Sequence, residues 1–222
     1  SMSRRLLATA LCAAMLVACS GNDDGGEAPD VGPGAETAEE AVEQLFDRLG
    51  DGSFGEAASL AIPQQSALAS LAEGASTADV ADALDSGDAA IAANFWSGFA
   101  QSVDEILARG VSVLGSEGAP AEGTEFTLVE IDAGSGAPRH IATRDVDGYR
   151  VDLFATFGPA LASRLYPQVE RLFQDPSEDA SRVLGGLRDQ VPSLYIASET
   201  PGLAPNLVQD LLQLIELITR IN

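Results

Sequence analysis

The chain changes its hydrophobic period twice, and this limits its fold more than any other feature. From Thr37 to Arg109 apolar residues recur at the 3.6-residue spacing of helices. From Val111 to Phe154 they alternate with a period of two, as strands do. From Pro159 onward the helical spacing returns. Helices, then strands, then helices describe an α+β fold rather than a bundle or a sandwich.

Local signals divide these stretches. Thr37-Ala38-Glu39-Glu40 places a hydroxyl three residues before a Glu, the pattern that caps a helix start. Ala38, Val42, Leu45, Phe46 and Leu49 then share one face, and Gly50-Asp51-Gly52 ends the helix. A short helix with Phe54, Ala57, Ala58, Leu60 and Ala61 stops at Ile62-Pro63. Residues 64–73 read as one or two helical turns. Residues 77–109 read as two helices split near Ser86-Gly87-Asp88. Strands are expected around Val111 and Val113 and over 125–131, 138–143 and 149–154, with a hairpin turn at Asp145-Val146-Asp147-Gly148. The later helices are expected from Pro159 with an interruption at Pro167, over 177–188 and over 206–221.

Charge narrows the function. The chain has 34 Asp plus Glu against 12 basic residues, for a net charge of −22. Such a surface lacks the basic footprint that nucleic acid requires, so nucleic acid is not an expected partner. It also disfavours electrostatic docking on anionic lipid. Hydrophobic residues make up 45%, enough to form a core despite the charge. Two Cys and one His cannot build a zinc or iron–sulfur centre, so no metal and no cofactor are expected.

The N-terminus reads as an address. Arg4-Arg5 precede the apolar run Leu6 to Ala18, which has 13 residues. A membrane-spanning helix needs about 20, whereas the core of a signal peptide needs about 7–15. The run ends Leu16-Val17-Ala18-Cys19, followed by Ser20-Gly21-Asn22-Asp23-Asp24-Gly25-Gly26. This resembles the lipobox of bacterial lipoproteins. The resemblance implies cleavage before Cys19, a diacylglyceryl group on its thiol, and a further acyl chain, palmitate-like, on the new amino terminus. Two or more chains hold a soluble domain on a bilayer, where one is marginal. An ordinary core helix or a plain secretory signal are the other readings of this run. The expected location is the cell envelope. In a Gram-negative cell that means the outer membrane facing the periplasm, which Ser20 permits. In a Gram-positive cell it means the outer face of the cell membrane. Residues 1–18 are then a signal peptide and 19–36 a flexible acidic tether rich in Gly and Pro.

The opening Ala38-Glu39-Glu40-Ala41-Val42 helix, its Leu49-Gly50-Asp51-Gly52-Ser53-Phe54 exit and the hairpin Asp147-Gly148-Tyr149-Arg150-Val151-Asp152 resemble the cone-shaped NTF2-like fold. The likeness covers residues 37–157 and leaves 158–222 as an added C-terminal helical layer. It implies N-terminal helices packed on a small curved antiparallel sheet, with an apolar pocket inside the cone. Some members are isomerases or dehydratases, and others only bind. No catalytic residue carries across, because no matching catalytic motif is present.

Candidate residues follow. Phe95, Trp96 and Phe99, with Phe126, Leu128 and Tyr149 from the strands, are either pocket lining or simple core. His140, the only histidine, reads as a surface or structural residue. Asp145-x-Asp147-Gly148 starts like a calcium loop but has Thr156 at position 12, where such a loop needs Glu, so it reads as a turn. More than half of the last helix is apolar, with Leu207, Leu211, Leu214, Ile215 and Ile218 among its residues. It packs on its own domain, forms a homodimer seam, or docks on an envelope partner. The reading that fits best is a membrane-tethered, non-enzymatic binding or assembly module. A carrier of an apolar small molecule or lipid, and a small NTF2-like isomerase or hydrolase, are the alternatives.

Overall fold

The computed structural model describes residues 32–86, 89–134 and 140–220. The expected signal run, Cys19 and most of the expected tether lie outside the described residues. The architecture is α+β. Among the described residues six helices come first: α1 (Ala38–Gly50), α2 (Phe54–Ser59), α3 (Gln65–Ala69) with a 3-10 turn at Ser70–Glu73, α4 (Thr77–Ser86), α5 (Ala89–Ser102) and α6 (Asp104–Arg109). Four strands follow: β1 (Ser112–Ala121), β2 (Thr124–Asp132), β3 (His140–Asp145) and β4 (Tyr149–Val151). The chain ends with α7 (Leu153–Gln174), α8 (Glu178–Arg188), α9 (Val191–Ser198) and α10 (Pro205–Thr219).

The strands form one curved antiparallel sheet in the order β1-β2-β3-β4. Its alternation sorts side chains onto two faces. Val129, Ile131, Ile141 and Val151 enter the main core, where α1 lies across all four strands. Phe126 and Ala142 belong to the opposite side, with Ala155 of α7 and Ile196 of α9. The main core is continuous from Ala38 in α1 to Ile218 in α10. The division expected after residue 157 therefore falls inside α7, within one shared core.

Capping explains where several elements begin. The Thr37 hydroxyl accepts from the Glu40 N–H at 3.1 Å, as the sequence pattern predicts. The Glu40 carboxylate accepts from the Glu36 N–H, one residue before the usual reciprocal partner. Ser177 caps α8 by accepting from the Ala180 N–H at 3.1 Å.

Six expectations need correction. The strand expected to run to Phe154 ends at Val151, because Asp152 caps α7 and accepts from the Ala155 N–H. α7 therefore starts six residues before Pro159. It also continues unbroken through Pro167. Pro167 and Ser163 are both exposed, so solvent can replace the hydrogen bond the ring removes. Residues 77–109 form three helices, with a break at Val103. β1 extends to Ala121, although Gly115, Gly118 and Pro120 hide its alternation. α9 is a further helix that the sequence spacing does not separate from its neighbours.

The sixth correction concerns the tether. Its last five residues, from Gly32 to Glu36, are part of the fold. The Ala35 N–H donates to Tyr149 O at 3.0 Å, and the Tyr149 N–H donates back at 2.8 Å. Gly34 lies so close to the hairpin that an added Cβ would sit 2.6 Å from the Gly148 carbonyl carbon. The buried Arg150 guanidinium donates to Gly32 O at 2.6 Å and also to Ser59 O. Burial lowers its pKa, and Asp147 opposes that shift. Arg150 thus ties the segment at Gly32, the exit of α2 and β4 together.

Candidate functional site

The densest buried polar cluster centres on Asp152, which has no exposed surface. Its position follows from its place between β4 and α7, where a carboxylate satisfies the first free N–H groups of a helix. Oδ1 accepts from the Ala155 N–H and from Gln65 Nε2, each at 2.9 Å. Oδ2 accepts from the Ser193 hydroxyl at 2.7 Å. Arg144 Nε approaches Oδ2 at 2.9 Å as an ion pair, although its N–H is not aligned for a hydrogen bond. The Arg144 guanidinium also lies 5.6 Å from the centre of the Phe126 ring.

Two glutamines extend the cluster. Gln65 Nε2 donates to Gln190 Oε1 at 2.8 Å, and Gln65 Oε1 accepts from the Leu153 N–H at 2.6 Å. Gln190 Nε2 donates to Gly186 O at 3.1 Å. The network joins α3, the strand-to-helix junction, and the start of α9. A carboxylate offers about four acceptor sites; here Gln65, Ala155 and Ser193 donate to three of them, and Arg144 adds its charge at 2.9 Å. The arrangement is that of a brace between segments, around a carboxylate with no exposed surface. The sequence reading missed Asp152, Arg144, Gln65, Gln190 and Ser193. An Asp directly before the apolar Leu153-Phe154-Ala155 start was a usable capping signal.

The expected pocket residues do not converge. Phe95, Trp96 and Phe99 form one aromatic group on α5, joined by Phe157 of α7. Phe95 and Phe99 stack at 6.3 Å between ring centres, and Trp96 meets both edge-on. Trp96 is fully buried, and its indole N–H has no partner among the described residues. Phe126 and Leu128 belong to the cluster on the far side of the sheet. Tyr149 sits at the start of β4, half-buried, and bridges Ala35. α5 packs chiefly on α2, α3 and α1, and the helix that lies against the sheet is α1.

The last helix packs inward on α7 and α9. Leu211, Leu214, Ile215 and Ile218 are at most 3% exposed, covered by the protein's own helices. They are core residues in this fold, and a dimer or partner seam through them has no free surface. Leu207 is half-buried, and Leu212, outside the expected set, is 48% exposed. His140 starts β3 opposite Glu130. The Asp145–Gly148 stretch is a turn: Asp145 pairs with Tyr149, and its carboxylate accepts from the Gly148 N–H.

A cleft of about 300 Å³ opens between the 74–77 loop and the end of α7, lined by Gly74, Thr77, Gln168, Arg171 and Asp175. Asp175 accepts from the N–H and hydroxyl of Ser177, which lower its pKa. Among the described residues, no group of His, Cys, Asp and Glu has a metal-holding arrangement. No described helix is long and apolar enough to cross a membrane. No family model matches the chain, and no curated protein or solved structure matches it.

Proposed function

We propose that this protein is a membrane-tethered lipoprotein of the bacterial cell envelope whose domain works as a non-enzymatic binding module. Cys19 carries the lipid, and the residues before Gly32 space the domain from the bilayer. The observation that carries the binding reading is the filled interior. Trp96 and Phe154 in the main core, and Phe126 on the opposite side of the sheet, are fully buried among the protein's own side chains. The buried carboxylate is consumed by its own neighbours. Both points favour action through the surface over action within a cavity. The docking of Gly32–Glu36 on β4 supports the tethered reading, since it gives the anchor a fixed exit from the fold.

Metabolic labelling with an alkyne fatty acid in a bacterial host tests this. The wild-type chain should carry label and stay in the membrane after an alkaline wash. Cys19→Ser should lose the label and the membrane association. A labelled Cys19→Ser chain, or an unlabelled wild type, contradicts the reading.

A further inference from the structure

We propose that the outer edge of β1 is a strand-addition site for an extended, basic segment of a partner protein. This deepens the reading of the domain as a binding module and rests on it.

The two edges of the sheet are treated differently. The β4 edge is covered twice: Ala35 bridges Tyr149, and the Leu60–Ile62 stretch brackets Val151 with hydrogen bonds of 2.8 and 3.1 Å. Among the described residues, no further strand lies beyond β1. Among the described residues, β1 makes no backbone hydrogen bond outside its pairing with β2. None of its ten residues is buried. An edge of this kind presents unpaired N–H and C=O groups to any extended chain.

Residues Gly115 to Ala121 pair with β2 in unbroken register, so alternate residues turn their backbone groups away from β2, and Pro120 has no N–H. Just before them the register shifts, and Leu114 stands there 61% exposed. It is the most exposed of the large apolar side chains in the described residues and provides a contact for an alternating partner strand.

Charge selects the occupant. Residues 110–134 carry Glu117, Glu122, Glu125, Glu130 and Asp132, all exposed, and no Arg or Lys. Glu39 of α1 reaches the same strand, accepting from the Ser116 hydroxyl. A second copy of this chain would bring the same acids to the edge, on a protein of net charge −22. A basic segment meets complementary potential instead.

The test uses the full chain and a short synthetic peptide alternating Arg and Val. Binding is read by fluorescence anisotropy, and the location by hydrogen exchange. The proposal expects slowed exchange in residues 112–121 and unchanged exchange in β4. The same peptide with alternate amides N-methylated should bind at least about tenfold more weakly, because it cannot complete the ladder. Raising salt from about 0.1 M to about 1 M, which shortens the screening length from about 10 Å to about 3 Å, should weaken binding. Leu114→Ser, which removes the apolar contact without adding charge at an exposed position, should weaken it severalfold while keeping the peptide-free exchange pattern. Equal binding of the N-methylated peptide, equal binding of a Glu-Val peptide, or protection away from β1 overturns the proposal. A doubled mass without peptide that protects β1 overturns it in favour of self-pairing. An acylated, membrane-held chain with no β1 protection refutes the edge site and leaves the anchor standing. Protection of β1 in an unacylated chain does the reverse.

Discussion

Arg144 Nε lies 2.9 Å from Asp152 Oδ2, and the carboxylate has no exposed surface while the Arg side chain keeps 19% of its own. The pair is thus half sheltered, and the hydrogen bonds from Gln65, Ser193 and the Ala155 N–H supply the remaining compensation. Removing the carboxylate leaves these donors buried and unpaired. Asp152→Ala should destabilise the domain by about 3 kcal/mol, in the range for breaking one side of a buried pair. Asp152→Asn should cost less, since Oδ1 can still accept from Gln65 and Ala155. Urea unfolding of both variants measures the difference.

Gly34 and Gly148 touch backbone to backbone, and Gly148 has φ +91°. Gly34→Ala would force its Cβ against the hairpin and release the 32–35 segment from β4. The expected result is faster exchange of the Tyr149 N–H, with a stability loss of about 1 kcal/mol for the lost bridge bonds. Unchanged exchange at Tyr149 would show that the segment is not held as described.

Pro167 interrupts neither α7 nor its buried stripe of Leu161, Leu165, Val169 and Leu172. The helix carries it at an exposed position by virtue of that packing. Pro167→Ala should therefore raise stability by about 1–3 kcal/mol, restoring a helical hydrogen bond and removing the ring's clash. Thermal unfolding checks the sign.

Trp96 is the chain's single tryptophan, and it is fully buried with an unpartnered N–H. Trp96→Phe removes that donor, whose burial costs about 1–3 kcal/mol, while leaving a small void. The two effects oppose each other, and the net change should be within about 1 kcal/mol. Phe154→Ala, which offers no such relief, should cost about 3–5 kcal/mol. Far-ultraviolet circular dichroism in urea compares the two.

Glu39 accepts from Ser116, which holds its carboxyl below the ordinary value of 4.5. A lowered folded-state pKa adds stability above the unfolded value and loses it as pH falls through the folded one. Ser116→Ala should thus be less stable than wild type above pH 4.5, and the gap should close in more acidic solution. The effect should be small, because the pair is exposed to solvent.

Local signals made much of the fold legible. The Thr37 cap and the Asp-Gly hairpin turn specify their own geometry within a few residues. What the sequence hid depends on distant partners. β1 reads poorly because Gly115, Gly118 and Pro120 carry no alternation, and only its ladder with β2 makes it a strand. Pro167 reads as a break because the packing that overrides it comes from other helices. The Asp152 brace joins residues 87 and 41 positions away, which no local pattern connects. The apolar breadth of α10 was visible, but its covering by α7 and α9 belongs to the tertiary fold.

The most direct test of the account is the native mass spectrum of the full chain, produced in a bacterial host and extracted from its membranes. The account predicts a chain beginning at Cys19, covalently acylated, with no apolar ligand released on denaturation. An unacylated chain, or an acylated one that sheds a bound apolar molecule when denatured, would contradict it.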